Sequence, residues 1–400
     1  MHSASEHPAL VPDLAESGLC SAIPDVRFYA LTLGPRRTEQ SSLSRLDLAQ
    51  AKAGTVPSDE LISFVVIAYN EEENIASTLQ AIMALDDLGD HEIVVVDDGS
   101  TDNTAQIVRA LAAQNPSIRF TSLERNYGRG YARWRGISAA RGSIFATVDA
   151  DNILPSDWLI RTREALQNHD AVGGTAVPDA DASYVYKHFH LVPRLVGHTN
   201  VVSGSNALYR RSVFDFVQFD PNLRDGEDSV LNHDMTTAGL RCMTIPGLIT
   251  RHEENKSFKD SLKWLFTVGR GATRQLSSIP KIRLPDVAAL AFACSIVLGI
   301  FTALEASPIL GAAIPVGFVV VASTQHIRSR FYTPRAQWTS ILRAIAVDGV
   351  LLTAYFLGRI GGVTAFGQHA RFRRRQLPRM RAHAGPSSVD RVAAVKDIKP

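Results

Sequence analysis

Three short runs rich in β-branched residues, Phe64-Val65-Val66-Ile67, Ile93-Val94-Val95-Val96 and Ile144-Phe145-Ala146-Thr147-Val148, constrain the fold of this chain more than any other feature of it. Each run is apolar at consecutive positions, so neither face of the strand it forms tolerates water. Strands covered on both faces belong to parallel sheets flanked by helices. Helical spacing follows the first two runs: Ile75, Leu79, Ile82 and Met83 after one, Ile107, Val108 and Leu111 after the other, with Asp102 placed to cap the second helix. This alternation over about a hundred residues predicts an open α/β fold, Rossmann-like and mostly parallel, with right-handed crossovers. Ligands of such sheets bind beyond the carboxyl ends of the strands. All three runs end there in polar side chains: Tyr69-Asn70-Glu71-Glu72, Asp97-Asp98-Gly99-Ser100-Thr101-Asp102 and Asp149-Ala150-Asp151.

Charge and composition narrow the partners. Lys plus Arg (42) nearly equals Asp plus Glu (40), so no overall field points to nucleic acid, and none is expected as a partner. Hydrophobic residues make up 45% of 400, enough for a large core and for two or three units. Cys20, Cys242 and Cys294 lie far apart and form no C-x-x-C pair, which fits a reducing compartment. Residues 1–59 mix Ser, Pro, Glu and Arg and read as a loosely ordered extension. Because residues 1–25 lack a charged stretch followed by an apolar one, the domain over residues 60–255 is expected to stay in the cytoplasm.

After Pro280 the chain changes character. Asp286 to Ala303 and Ile309 to Ser323 are almost free of charge, and Ile341 to Leu357 is apolar apart from Arg343 and Asp348. A helix needs about 20 apolar residues to cross a bilayer, so residues 284–366 are expected to span the cell membrane more than once. Glu305 and Asp348 are costly in lipid, which leaves a buried helical subdomain as the other reading. Lys281 and Arg283 precede the first run and Arg328, Arg330 and Arg335 follow the second, placing both ends of a two-helix hairpin on the cytoplasmic side. The basic tail, residues 367–400 with Arg371, Arg373, Arg374, Arg375, Arg379 and Arg381, favours the same side. Three full spans would put it outside. The third segment is therefore re-entrant or interfacial, or a fourth crossing hides near Gly358 to Phe366.

Chemistry concentrates at Asp149-Ala150-Asp151. Residues i and i+2 of a strand point the same way, so both carboxylates face one site if the extended geometry continues. Oxygen ligands of this kind suit Mg²⁺ or Mn²⁺, which bind through one or two carboxylates plus substrate phosphates. The competing reading is a helix cap, with Asp151-Asn152 leading into a helix near Ser156. Asp97 to Asp102 has its own bland reading as a turn and cap; its place at the same sheet edge favours a ligand.

Taken together, Phe64 to Ile75 (FVVIAYNEEENI), Val94 to Thr104 (VVVDDGSTDNT), Asn126 to Gly142 and Thr147 to Asp151 (TVDAD) resemble the nucleotide-binding half of family 2 inverting glycosyltransferases of the GT-A fold. The resemblance covers residues 62–253, with four motifs in order. It implies that Tyr69, Glu71, Asp97 and Asp98 touch the nucleoside, that Arg129 lies near the donor, and that Asp149 and Asp151 hold donor and metal. Ser205 to Arg211 resembles the strand before the family's acceptor helix, and Gly226-Glu227-Asp228 its catalytic acidic motif, making Asp228 the general base. Read alone, Glu227-Asp228 is an acidic first turn of a helix running to Ala238. By the same similarity His252 is a third metal ligand.

Ser261 to Arg274 (SLKWLFTVGRGATR) resembles succinoglycan-type bacterial β-glucosyltransferases, which build exopolysaccharide on polyprenyl diphosphate lipids. Within an interfacial region, residues 256–283, helical spacing puts Lys263, Arg270 and Arg274 roughly on one face, toward acceptor or diphosphate phosphates, or simply toward solvent. The Q-x-x-R-W motif of processive synthases is absent from the sequence, which favours addition of a single sugar. The resemblance thus implies transfer from a nucleotide-diphosphate sugar, a UDP-hexose first of all, to a lipid-linked or saccharide acceptor at the cytoplasmic membrane face. A polyprenyl-phosphate sugar synthase is the nearest alternative, and a non-catalytic membrane scaffold of the same fold a remote one. A dinucleotide oxidoreductase is disfavoured, because no G-x-G-x-x-G follows a strand run.

Overall fold

An eight-stranded sheet of order β3-β2-β1-β4-β7-β6-β8-β5 organises residues 62–252 of the computed structural model, which describes residues 60–178, 200–253, 257–276, 278–279, 282–330 and 342–363. Four strands are parallel neighbours, as the apolar runs require: β1 (Ile62–Ala68) lies between β2 (His91–Asp97) and β4 (Ile144–Asp149), and β3 (Ile118–Ser122) flanks β2. Alternate residues serve opposite layers. Phe64, Val66, Ile93, Val95, Ala146 and Val148 pack on α1 (Ile75–Met83), α2 (Thr104–Gln114) and α4 (Trp158–Leu166), while Val65, Ile67, Val94, Val96 and Phe145 meet Ala132, Ile137 and Ala140 of and after α3 (Arg129–Ala139). Each fully buried large side chain contributes about 1.5–3 kcal/mol.

The other half departs from a mostly parallel plan. β7 (Asn206–Arg210) runs antiparallel to both β4 and β6 (Ala171–Pro178), β8 (Cys242–His252) is parallel to β6, and the two-residue β5 (Asn152–Ile153) is antiparallel to β8. Burial alone does not set strand direction: four of the five residues of β7 are buried, on both faces, and yet it is antiparallel to both neighbours.

Asp102 acts one step away from the expected cap. Its Oδ1 accepts from the backbone N–H of Thr104 at 3.0 Å and from its hydroxyl at 2.5 Å, and α2 begins at Thr104 with Val108 buried. A 3-10 turn (Arg211–Asp215) follows β7, and α5 (Glu227–Thr237) carries Glu227 and Asp228 in its first turn.

Four helices follow β8. α6 (Phe258–Gln275) starts at Ser257, whose hydroxyl accepts from the Asp260 N–H. α7 (Leu284–Glu305), α8 (Pro308–Arg330) and α9 (Leu342–Val363) are long enough, and over 18 or more residues apolar enough, to cross a membrane. α7 and α8 form an antiparallel hairpin crossing closely at Gly299 and Gly311; a Cβ on Gly311 would sit 2.4 Å from the Gly299 carbonyl oxygen. Glu305 is the last residue of α7, where its carboxylate reaches the end of the apolar span. Asp348 is fully buried and bonded to His326 of α8 at 2.8 Å. The expected extension over residues 1–59, the tail arginines, Lys281 and Arg335, and the side chains of Arg328 and Arg330 lie outside the described residues.

Candidate active site

The strand register explains why polar residues far apart in sequence meet. Ala68 is level with Asp97, and Ile67 with Asp149, so the carboxyl ends of β2, β1 and β4 form one edge. Beyond that edge lies a cleft of about 330 Å³ lined by Tyr69, Glu71, Asp98, Arg129, Asp149 and Asp151, and also by Asn126, Arg224, Asp225, Trp264 and Thr267. Asp98 is 4% exposed and accepts from the backbone N–H groups of Tyr127 (2.7 Å) and Gly128 (2.8 Å). Burial raises its pKa; these two donors and Arg224 oppose that shift without cancelling it. Gly128 holds φ +100, and a Cβ there would lie 2.5 Å from the Arg224 Cα, so this position requires glycine. Arg224 in turn reaches back to the Asn126 carbonyl at 3.2 Å.

Asp97 is turned away from the cleft. Its Oδ1 accepts from the Ser100 N–H at 3.0 Å and its Oδ2 from the Ser122 hydroxyl at 2.7 Å, so it fastens the loop that presents Asp98 and does not line the cavity.

The acidic groups from separate segments converge around Arg129. Desolvation lowers the pKa of this guanidinium, which still keeps contact with solvent, but Asp149, Asp225, Asp151 and Asp228 more than offset that and hold it above its ordinary value. Asp149 and Asp151 come from the end of β4, Asp225 and Asp228 from the start of α5. One cation thus senses both the strand-end carboxylates and the helix-start carboxylates.

His252 sits beside Asp151 because β5 and β8 pair there: Asn152 is opposite His252, and the Asp151 carbonyl accepts from the Glu253 N–H at 2.8 Å. The His252 Nε2 is 3.2 Å from Asp151 Oδ2. The three expected metal donors do not form a triad, and among the described residues no group of three His, Cys, Asp or Glu side chains is placed to hold a metal ion. Asp149 is engaged elsewhere, accepting at Oδ1 from Arg133 at 2.5 Å.

Arg133 is the residue that sequence reasoning missed. It is 3% exposed, projects from α3, forms ion pairs with both Asp149 and Glu227, and lies over the Phe219 ring at 5.7 Å. Glu227, 2% exposed, is therefore a buried partner of Arg133 and not a wall of the cleft. Asp228 is partly exposed, accepts from the Ser229 N–H at 2.7 Å and, like Glu227, is not among the residues that line the cleft. Along α6, Lys263 is exposed and 3.2 Å from Asp260, and Arg270 is exposed. Arg274 is partly buried, and its pKa is lowered by burial and then by Arg270, with Asp225 opposing. It is Trp264 and Thr267, from other positions on that helix, that close the cleft.

Residues 63–217 match the family described as Glycosyl transferase family 2. The chain is 31% identical over 209 residues to the succinoglycan biosynthesis protein ExoO of Rhizobium meliloti (strain 1021), covering 46% of this chain and 58% of that protein. It is 35% identical over 164 residues to the undecaprenyl-phosphate 4-deoxy-4-formamido-L-arabinose transferase of Edwardsiella ictaluri (strain 93-146), covering 38% of this chain and 50% of that one. The matched region thus spans roughly half the length of these curated relatives. Among solved structures, the mannosyltransferase PcManGT from Pyrobaculum calidifontis, in complex with GDP-Man and Mn2+, superposes with a TM-score of 0.47 at 17% identity, covering 76% of this chain and 87% of that one.

Proposed function

For a chain whose residues 63–217 match glycosyl transferase family 2, we propose the transfer of a single sugar from a nucleotide-diphosphate donor to a lipid-linked or saccharide acceptor at the membrane surface. The observation that carries this reading is the cleft that Arg129 shares with Asp149 and Asp151 from the end of β4 on one side and Asp225 from the start of α5 on the other. A donor needs the first group and an attacking hydroxyl needs the second.

The cleft provides the groups for the donor. Tyr69, Glu71 and Asp98 line the end that receives the nucleoside, and Arg129 stands where the diphosphate charge would lie. Asp151 and His252 fit a divalent cation, Mg²⁺ or Mn²⁺. Their 3.2 Å separation is close to the spacing of about 3 Å between adjacent donors in an octahedral shell with bonds of about 2.1 Å. Such an ion keeps its remaining positions for phosphate oxygens and water, so a pair of protein donors suffices. Bound there, it would neutralise charge on the departing diphosphate.

Asp228 acts on the acceptor. Its carboxylate removes the proton from the acceptor hydroxyl as that oxygen bonds to the anomeric carbon and the bond from that carbon to the diphosphate breaks. In-line displacement inverts the anomeric configuration. Glu227 and Arg133 fix the helix start from which Asp228 projects. The Edwardsiella relative is named for transfer to undecaprenyl phosphate, which favours a second reading in which the nucleophile is a lipid phosphate and no base is required. Incubating membranes that contain the protein with a panel of labelled nucleotide sugars, UDP-hexoses first, tests the proposal. Label entering the lipid or saccharide fraction supports it, and hydrolysis or no turnover with every donor overturns it.

A further inference from the structure

The way α9 meets the α7–α8 hairpin decides how many times the chain crosses the bilayer. α9 is a 22-residue helix of mean hydropathy 1.4, and by length and composition it passes for a third span. Its contacts describe a different object. Near its start Asp348 bonds to His326 at 2.8 Å, and a Cβ on the adjacent Gly349 would lie 3.1 Å from Val319 and 3.4 Å from the Ser323 hydroxyl. In its middle Phe356 packs on Phe292 of α7 and Phe318 of α8, with ring centroids 5.4 and 6.1 Å away. Near its end Arg359 pairs with Asp286, the third residue of α7.

The two polar partners of α9 lie at nearly one level of the hairpin. Phe292 and Phe318 face each other with centroids 5.9 Å apart. From that level, at 1.5 Å per residue, Asp286 lies about 9 Å toward the start of α7 and His326 about 12 Å toward the end of α8, which in an antiparallel pair is the same direction. Asp348 and Arg359 are separated by about 16 Å along α9. A helix parallel to the hairpin would find its two partners about 16 Å apart in depth, whereas they differ by about 3 Å. α9 therefore runs across the hairpin and not alongside it.

The end it crosses is the catalytic end. Gly358 packs against the Phe266 backbone and Gly362 against Thr273, both on α6. The chain Gly226, Gln275, Arg283, Asp286 then links the α5 entrance to the base of α7, with contacts of 3.3, 2.9 and 3.3 Å. The faces of α9 agree. Ala344, Asp348, Leu351, Phe356 and Arg359 are buried against protein, while Val350, Leu357, Ile360 and Val363 present an exposed apolar stripe. A helix that turns Asp348 and Arg359 inward, exposes Arg343 near its start where the long side chain reaches the headgroups, and keeps an apolar outer face beyond it suits the boundary between headgroups and acyl chains.

We propose that α9 lies in the plane of the membrane surface on the catalytic side, with its outer stripe in the acyl chains, so that of the described helices only α7 and α8 cross the bilayer and both ends of α9 lie on the side from which α7 enters. The test uses full-length protein with Cys20, Cys242 and Cys294 replaced, in membrane vesicles of each orientation, probed with an impermeant maleimide. Glu124→Cys reports the catalytic side and Ser307→Cys the turn of the hairpin. Ser340→Cys and Gln368→Cys, with Thr339→Cys and Thr364→Cys as a second pair should either of the first fail to fold, lie outside the apolar stripe and report the chain at the two ends of α9. Both ends should label from the Glu124→Cys side, and Ser307→Cys from the other. Labelling of the two α9 ends from opposite sides, labelling of either end from the Ser307→Cys side or from neither side, or labelling of Ser307→Cys from the catalytic side overturns the proposal.

Discussion

Arg133 on α3 and Glu227 at the first position of α5 form an ion pair in which the two side chains are only 3% and 2% exposed. The same guanidinium also binds Asp149, so the strand end that faces the donor and the helix start that faces the acceptor are fastened through one side chain. Removing one member of a buried pair leaves an uncompensated charge and costs about 3–5 kcal/mol, more than the intact pair contributes. Arg133→Met should therefore lower stability by about that amount. Arg133→Met combined with Glu227→Gln should cost less than the sum of the single changes, because the stranded charges are removed together. Thermal unfolding of the detergent-purified protein reads this, and strictly additive losses would show that the pair is not coupled.

Asp228 is partly exposed and Glu227 is not, which separates their roles. Asp228→Asn keeps the shape of the helix start and should leave nucleotide-sugar affinity within about twofold while reducing transfer by about two to four orders of magnitude, the usual contribution of a positioned base. Titration calorimetry with the donor, beside initial rates, gives both numbers. Full transfer with intact donor binding would instead select a lipid phosphate as nucleophile.

Asp151→Asn separates cation binding from nucleotide binding. If Asp151 and His252 hold the ion, the wild-type protein should bind a nucleoside diphosphate more tightly with Mn²⁺ than without. The variant should bind equally weakly in both conditions, with a loss of about tenfold or more. Calorimetry with and without Mn²⁺ measures this with no turnover required. An unchanged metal dependence would remove Asp151 from the ligand set.

The parallel half of the sheet was legible because its strands are buried on both faces, and continuous β-branched runs have few other destinations. The mixed half was harder to read: β7 and β8 are short or interrupted runs whose pairing partners, β4 and β6, are set by long-range packing and by no local pattern. Cleft residues that follow a strand, such as Tyr69, Asp98 and Asp149, announced themselves by position. Arg133 did not, because a helical arginine in a segment that also contains Arg129 and Arg135 reads as surface charge. Its burial comes from Asp149, Glu227 and Phe219, none of which is local to it. Trp264 and Thr267, which close the cleft from α6, follow no strand and belong to no charge pattern that would mark them locally.

A second buried carboxylate, Glu92, controls stability without reaching the cleft. Its Oε1 accepts from the Ser63 hydroxyl at 2.7 Å and the Arg141 N–H at 2.6 Å, and its Oε2 from Arg119 at 2.6 Å, so it ties β1, β2, β3 and the turn before β4 together. Burial pushes its pKa up, but those three donors prevail and hold it below the ordinary 4.5. The unfolded chain therefore binds a proton more readily than the folded one, and the stabilisation is present above pH 4.5 and lost as pH falls through the folded value. Glu92→Gln keeps the shape but replaces an acceptor-only group with one that carries an N–H₂ among donors, at a cost of about 1–3 kcal/mol near neutral pH. The difference between wild type and variant should shrink as pH drops below 4.5, because protonation weakens the wild-type network toward that of the amide. Denaturation midpoints measured from pH 7 down to pH 3 follow this convergence, and a gap that stays constant across the range would show that the Glu92 charge does not stabilise the sheet.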